Sequence, residues 1–393
     1  MPQLKLSHIT AGAVAVLVGY TSSVAIIFQA IDALGATQAQ ANSWLLALGI
    51  GMGVTSLILS FRFRMPVLTA WSTPGAALLA LGGGATTLPE ATGAFLFCAV
   101  LLTLTGLTGW FERLACLIPD TLANALLAGI LFRFGLEAFS SMEEDIWLVA
   151  VMGAAFLMAK LYAPRYAIPL VLLAGILWAS AAGSFGDIAQ LNLTLATPEA
   201  VKPEFTLSAF IGLGLPLYIV TMCSQNMPGV VTLRSAGYVP PVSAAMTVTG
   251  LASLILAPFG GYTFNLAAIT AAICAGPEAD EDPKTRYLAV VAAGVIYCLV
   301  GLGGAAVISL FLIAPHALVA TVAGLALLST IGNGLSHALE PTAGREAALL
   351  CFMGTVSGIS FLGIGAPFWA LLIGLVAHIT LSRPAPALFR KTT

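Results

Sequence analysis

Fourteen stretches of this chain are apolar over a length that can cross a bilayer: 9–33, 39–60, 66–84, 92–110, 119–137, 146–161, 166–183, 207–233, 241–257, 260–275, 287–311, 315–332, 345–362 and 365–382. A hydrocarbon core about 30 Å thick takes roughly 20 apolar residues in helical form. Inside it every backbone N–H and C=O needs a protein partner, which a helix supplies from within itself. The pattern therefore predicts an all-α polytopic membrane protein with fourteen transmembrane segments. Composition agrees, with 59% hydrophobic and only 8% charged residues, where soluble domains carry roughly 25% charged. The first run is too long for a signal-peptide core and is expected to stay in the chain.

Several function classes are disfavoured at once. A net charge of -2 gives no basic face for nucleic acid. The six cysteines (98, 116, 223, 274, 298, 351) form no CxxC pair and read as small buried residues, and the four histidines have no metal spacing. No metal or other cofactor is expected. There is no Walker A motif, HExxH or GxGD. The string "GTVSG" at 354–358 has one residue too many for GxSG, so an enzyme is not expected. A channel would need repeated pore-lining rings, whereas the polar residues form one cluster.

Lysine and arginine set the orientation. Lys5 precedes the first run. Arg62, Arg64, Arg113, Lys160, Arg165, Arg234, Lys284, Arg286, Arg345, Arg383, Arg390 and Lys391 all follow even-numbered runs. Only Arg133 and Lys202, two of fifteen, fall on the other side. Both termini are thus expected in the cytoplasm, with the polar connection 183–204 outside. Seven runs precede that connection and seven follow, so the halves are expected to be inverted repeats. "SLIL" at 56–59 recurs 197 residues later at 253–256, and Gln29 and Gln225 are 196 apart.

The third and tenth runs are broken by polar and turn residues at matching places in the two halves. In "TAWSTPGAALL", Ser72 or Thr73 followed by Pro74 is a helix-start signal, which places a half-helix N-terminus at 72–75, up to Gly75. In "GGYTFNLAAITAAICAG", Asn265 is expected to cap a helix over 266–274. Two helix N-termini meeting at the midplane would hold an anion without a full positive charge. The eighth run contributes Ser224, Gln225 and Asn226, with Pro228 breaking the helix and Gly229 allowing close packing. Phe264 and Tyr20 are candidates to cover an apolar part of a ligand.

The stretches "SQNMPGVVTLRSAGY", "PFGGYTFNLAAITAAICAGPEAD" and "TAWSTPGAALL" resemble the benzoate/proton symporter (BenE) family, and the resemblance runs nearly the whole chain. It implies a seven-plus-seven fold similar to nucleobase/ascorbate and sulfate-type anion transporters. It further implies a substrate-carrying core (1–110 and 207–312), a gate (111–183 and 313–393), an external linker (184–206) and an elevator-type movement of core against gate. The implied activity is uptake of a small aromatic carboxylate such as benzoate with protons as coupling ion, in the lipid bilayer, with a homodimer open to it. Nucleobase-like, ascorbate-like or inorganic anions are the alternative cargo. Related nucleobase transporters carry carboxylates near the places of Gln225 and Asn265, and here both are amides. No proton carrier is therefore evident. Asp32, Asp120 and the Arg133–Glu137 pair lie near span ends, and the substrate could cross as the protonated acid.

The orientation has a direct check. In a background without reactive cysteines, a cysteine at Ser184 is expected to react with an impermeant reagent in intact cells and one at Thr285 to be protected. Labelling of Thr285 from outside contradicts the assignment.

Overall fold

The computed structural model describes residues 4–82, 86–111, 119–186, 195–277, 279–304, 306, 313–342, 344–359, 361 and 366–381. Arg113, Cys116, Arg383, Arg390, Lys391 and linker residues 187–194 lie outside them. Each apolar run contains a described helix: α1 Leu6–Ala33, α2 Gln38–Phe63, α3 Thr73–Gly82, α4 Leu88–Thr108, α5 Asp120–Ser140, α6 Ile146–Tyr162, α7 Ala167–Ala182, α8 Leu207–Arg234, α9 Val242–Leu256, α10 Ile269–Ala275, α11 Tyr287–Leu302, α12 His316–Leu339, α13 Arg345–Val356 and α14 Ala366–Leu381. Among the described residues, six helical stretches are long and apolar enough to cross a membrane: those holding α2, α4, α5, α8, α9 and α12. The two parts of α1, bent by 42°, make a seventh if taken as one span.

The helices pack in two sets. In one, α1 lies against α3 and α11, α2 against α11, and α4 against α9. In the other, α5 lies against α12 and α13, α13 against α14, and α6 against α7. The sets meet where α1 touches α7 and α12, and where α3 and α8 touch α5. Lipid gives helices no hydrophobic reason to associate, so close backbone contact matters more than in water. The α2–α11 seam illustrates this, since a Cβ added at Gly49 would lie 2.5 Å from Gly301 Cα.

The start of α1 is tied to the loop after α10. Buried Asp280 receives Lys5 Nζ at 2.9 Å and lies 2.9 Å from His8 Nε2, and Lys5 holds its carboxyl far below the usual carboxylate range. Arg286 donates to the carbonyls of Asp280 and Ala275.

The all-α expectation fails at both broken runs. Each begins as an extended segment, β1 Thr69–Trp71 and β2 Phe264–Leu266, and the two pair antiparallel with Ala70 opposite Asn265. The segments are rich in β-branched and aromatic residues. Away from water, an extended backbone must find its partners in another strand. Ala267 N–H extends the ladder to the Leu68 carbonyl. The strands are anchored alike: Thr69 N–H donates to Ser56 Oγ and Phe264 N–H to Ser253 Oγ, each at 3.0 Å. Three-residue strands inside apolar runs carry too little periodicity to be read from sequence. Asn265 consequently does not cap a helix: it sits mid-strand, and α10 starts only at Ile269, after Ala268.

Gly49→Ala is expected to lower stability by about 1–3 kcal/mol, because overpacking against the backbone of α11 outweighs the ~0.5–1 kcal/mol gained in helix propensity. Gly153→Ala, with nothing within 4 Å of the added Cβ, is expected to leave thermal unfolding in detergent unchanged or slightly raised.

Candidate functional site

A cavity of about 460 Å³ lies where the two helix sets meet. One set lines it with Tyr20 and Ser23 of α1, Trp71 of β1, Thr73 and Pro74 at the start of α3, Cys223 to Gln225 and Pro228 of α8, Ala267 to Thr270 before and within α10, and Tyr297 of α11. The other set contributes Asn124, Leu127 and Leu131 of α5, and Leu327, Thr330, Asn333 and His337 of α12. One end is closed by the buried rings of Tyr20, Trp71 and Tyr297, whereas Asn333 and His337 are exposed at the other.

The closed end is aromatic but carries specific polar groups. The Tyr20 ring meets Trp71 edge-on at 4.8 Å and lies 6.0 Å from Tyr297. Trp71 Nε1–H donates to Ser23 Oγ at 2.9 Å, and Ser23 donates on to the Gly19 carbonyl. Tyr20 is only 8% exposed, yet its Oη has no hydrogen-bond partner among the described residues. A buried hydroxyl without a partner is uncommon and costly.

The polar cluster of α8 sits in a π-helical turn, Met222–Asn226. Pro228 follows two residues after Asn226 and brings no N–H to the helix ladder. The wide turn returns Met227 N–H to the Met222 carbonyl, and such bulges recur at functional sites. Ser224 Oγ bonds to the Val220 carbonyl. Buried Asn226 accepts from Leu266 N–H at 2.9 Å, fixing α8 to β2. A Cβ at Gly229 would lie 2.5 Å from that of Leu266, so the approach needs glycine there. Asn265 Nδ2 bridges the Leu266 carbonyl at 3.0 Å and Gln225 Oε1 at 3.4 Å. With its oxygen engaged, Gln225 has its amide Nε2 left as a donor.

Of the residues the sequence singled out, Tyr20, Thr73, Ser224 and Gln225 line the cavity. Ser72, Gly75, Asn226, Phe264 and Asn265 are buried behind its wall. Ser72 caps α3 by accepting from Gly75 N–H at 3.1 Å, and it receives Thr221 Oγ1 at 3.0 Å and, on its carbonyl, Tyr262 Oη at 2.7 Å. Gln29 lies elsewhere, donating to Glu137 at 3.5 Å in a second cavity that Arg133 also lines. Sequence reasoning missed Ser23, Trp71, Tyr297, Asn124 and the row Thr330, Asn333 and His337. That row had a signal, since spacings of three and four put its members on one face of an apolar helix.

No Asp, Glu, Lys or Arg is among the described residues that line the central cavity. Its polarity comes from neutral donors, one histidine and the N-terminus of ten-residue α3, where the helix dipole favours negative charge. Among the described residues, no cluster of three or more His, Cys, Asp or Glu could hold a metal.

Residues 2–380 match the family model described as "Benzoate membrane transport protein" (BenE). The chain is 46% identical over 374 residues to the inner membrane protein YdcO of Escherichia coli (strain K12), covering 95% of each chain. It is 37% identical over 379 residues to the benzoate membrane transport protein of Acinetobacter baylyi, covering 96% of each. In fold it is similar to the transmembrane domain of the cyanobacterial bicarbonate transporter BicA (TM-score 0.59, 14% identity, covering 94% of this chain and 97% of that one). It is also similar to the murine anion transporter Slc26a9 in its inward-facing state (TM-score 0.62, 12% identity, covering 97% of this chain and 68% of that one). The chain therefore belongs to the BenE family of benzoate membrane transport proteins and is a membrane transporter, not an enzyme.

Proposed function

We propose that this protein is a proton-coupled secondary transporter of a small aromatic carboxylate, with benzoate as the representative cargo. The observation that carries the reading is the closed end of the cavity, where the partnerless Tyr20 hydroxyl stands among aromatic rings. A ring fits against Trp71, Tyr297 and Leu327. The carboxylate takes hydrogen bonds from Tyr20 Oη and Gln225 Nε2, with the start of α3 favouring its charge. Neutral donors hold the anion without the tight grip of an arginine, which suits a carrier that must release its cargo. The volume falls in the usual range for small-ligand sites. The matching relative's name, a benzoate membrane transport protein, points the same way.

On this reading α1–α4 with α8–α11 form the core and α5–α7 with α12–α14 the gate, and the core moves against the gate. A cavity lined by both sets supports it. The fourteen helices would be fourteen spans in two inverted repeats, with both termini cytoplasmic in a bacterial inner membrane. The antiparallel strand pair centred on Ala70 and Asn265, and the matching anchors Ser56 and Ser253, support a two-fold relation at the site. The cavity mouth at His337 would then face the cytoplasm.

Losing a hydrogen bond to a charged group costs about 1.5–3 kcal/mol, or roughly 10- to 150-fold in affinity. Tyr20→Phe and Gln225→Ala are each expected to weaken benzoate binding on that scale while retaining expression, and Glu199→Ala is expected to match the parent. Benzoate binding and uptake in proteoliposomes, with bicarbonate and sulfate as competitors, measure this. If both variants bind like the parent, or only the inorganic anions compete, the reading fails.

A further inference from the structure

Among the described residues that line this cavity, one side chain is of a type whose charge changes near neutral pH: His337 of α12, at its exposed mouth. Its Nδ1 lies 2.8 Å from the Asn333 carbonyl oxygen. That oxygen can only accept, so in the neutral ring Nδ1 carries the hydrogen and Nε2 keeps an open lone pair. The other three histidines differ. His8 lies against Asp280, His316 is 3.0 Å from Glu144 and 3.5 Å from Glu137, and His378 has a buried Nδ1 packed beside Gly344. None of them lines this cavity.

The surroundings of His337 leave it unpaired with any carboxylate among the described residues. On the elements packed against α12, the charged groups include Asp120 on α5, Lys160 on α6, and Arg345 and Glu346 on α13, with Glu340 just past α12. Lys160 bonds to Ser329, and Arg345 to the carbonyls of Leu339 and Glu340. Asp32 and His8 lie near the ends of α1, α7 carries no charge over its span, and Arg133 and Glu137 belong to the second cavity. Within the central cavity the remaining titratable groups are Tyr20, Tyr297 and Cys223.

We propose that His337 is the proton acceptor of the transport cycle, taking the proton of the substrate's carboxylic acid at the cavity mouth. The inference rests on the aromatic-carboxylate reading. Tyr20, Gln225 and the start of α3 hold the carboxylate at the closed end, but no described lining residue there supplies a full countercharge, so desolvation favours its taking a proton with it in transit. At the wet mouth the balance reverses. The acid's O–H bond breaks, its proton passes to Nε2, and the electron pair stays on the departing carboxylate. The imidazolium then releases that proton to water. This supplies a proton acceptor that the amides Gln225 and Asn265 cannot provide, and it places that acceptor on the gate, on a different helix set from the substrate donors.

The test uses the full-length protein in proteoliposomes with a trapped pH dye. Labelled benzoate counterflow reports binding and movement, and net uptake under an imposed pH gradient reports proton handling. For His337→Gln, counterflow is expected to stay at the parental level, while net uptake falls roughly tenfold or more and loses its dependence on the imposed pH gradient. Ser336→Ala, next to it but outside the cavity lining, is expected to behave as the parent in both assays. Unchanged pH-dependent net uptake in His337→Gln overturns the proposal. If that variant does not exchange at all, His337→Ala with added imidazole decides: restored net uptake supports the proposal, and no restoration overturns it. A parent that exchanges no aromatic carboxylate would instead sink the transport reading itself, a separate outcome seen before any variant is made.

Discussion

The architecture of the site depends on how two interrupted segments satisfy their backbone away from water. β1 and β2 are extended where a helix would have bonded to itself, and each supplies what the other lacks. Several elements around the cavity are tied to this pair. Ser56 and Ser253 hold the strand starts, Asn226 ties α8 to the end of β2, and Ser72 starts α3 one residue after β1. Were either strand lost, the other would be left with several unsatisfied peptide groups, at a cost of order kcal/mol for each.

Because most polar side chains there are used by this scaffold, those left over become informative. Asn226, Ser72 and the Asn265 amide nitrogen have partners in the framework, and because Asn265 Nδ2 engages Gln225 Oε1, Gln225 keeps its amide N–H groups as donors. Tyr20 Oη is buried with nothing to bond to. Several other buried polar atoms also lack a partner among the described residues, but Tyr20 is the one among them that lines the cavity. The aromatic wall and the lack of Lys or Arg among the described lining residues suit the proposed cargo, an organic anion held by neutral donors.

Much of this was legible in the sequence. Apolar run length located every described helix, and the breaks in the third and tenth runs marked the two strands, though not their form. Ser72 was recognisable as a cap because Ser–Thr–Pro is a local signal. Asn265 was misread because its role is set by a strand 195 residues away, which no local pattern encodes. Gln225 stood out as a polar group in an apolar run, and Tyr20 as an aromatic able to cover a ligand, though not for its hydroxyl. Trp71 and Tyr297 did not, since an aromatic residue looks the same whether it packs or lines a cavity. The row ending in His337 was readable by helical spacing, but its nearness to α8 follows only from packing between the two helix sets. The Gln29–Gln225 register was not a guide to the site, as the two glutamines lie in different cavities.

The central claim is that an aromatic carboxylate occupies the closed end of the cavity between the helix sets. The most direct measurement is an experimental structure with 4-iodobenzoate, located by the anomalous signal of iodine. The account places the ring among Trp71, Tyr297 and Leu327, with the carboxylate at Tyr20 and Gln225. Iodine found instead in the second cavity, beside Arg133 and Glu137, would contradict it.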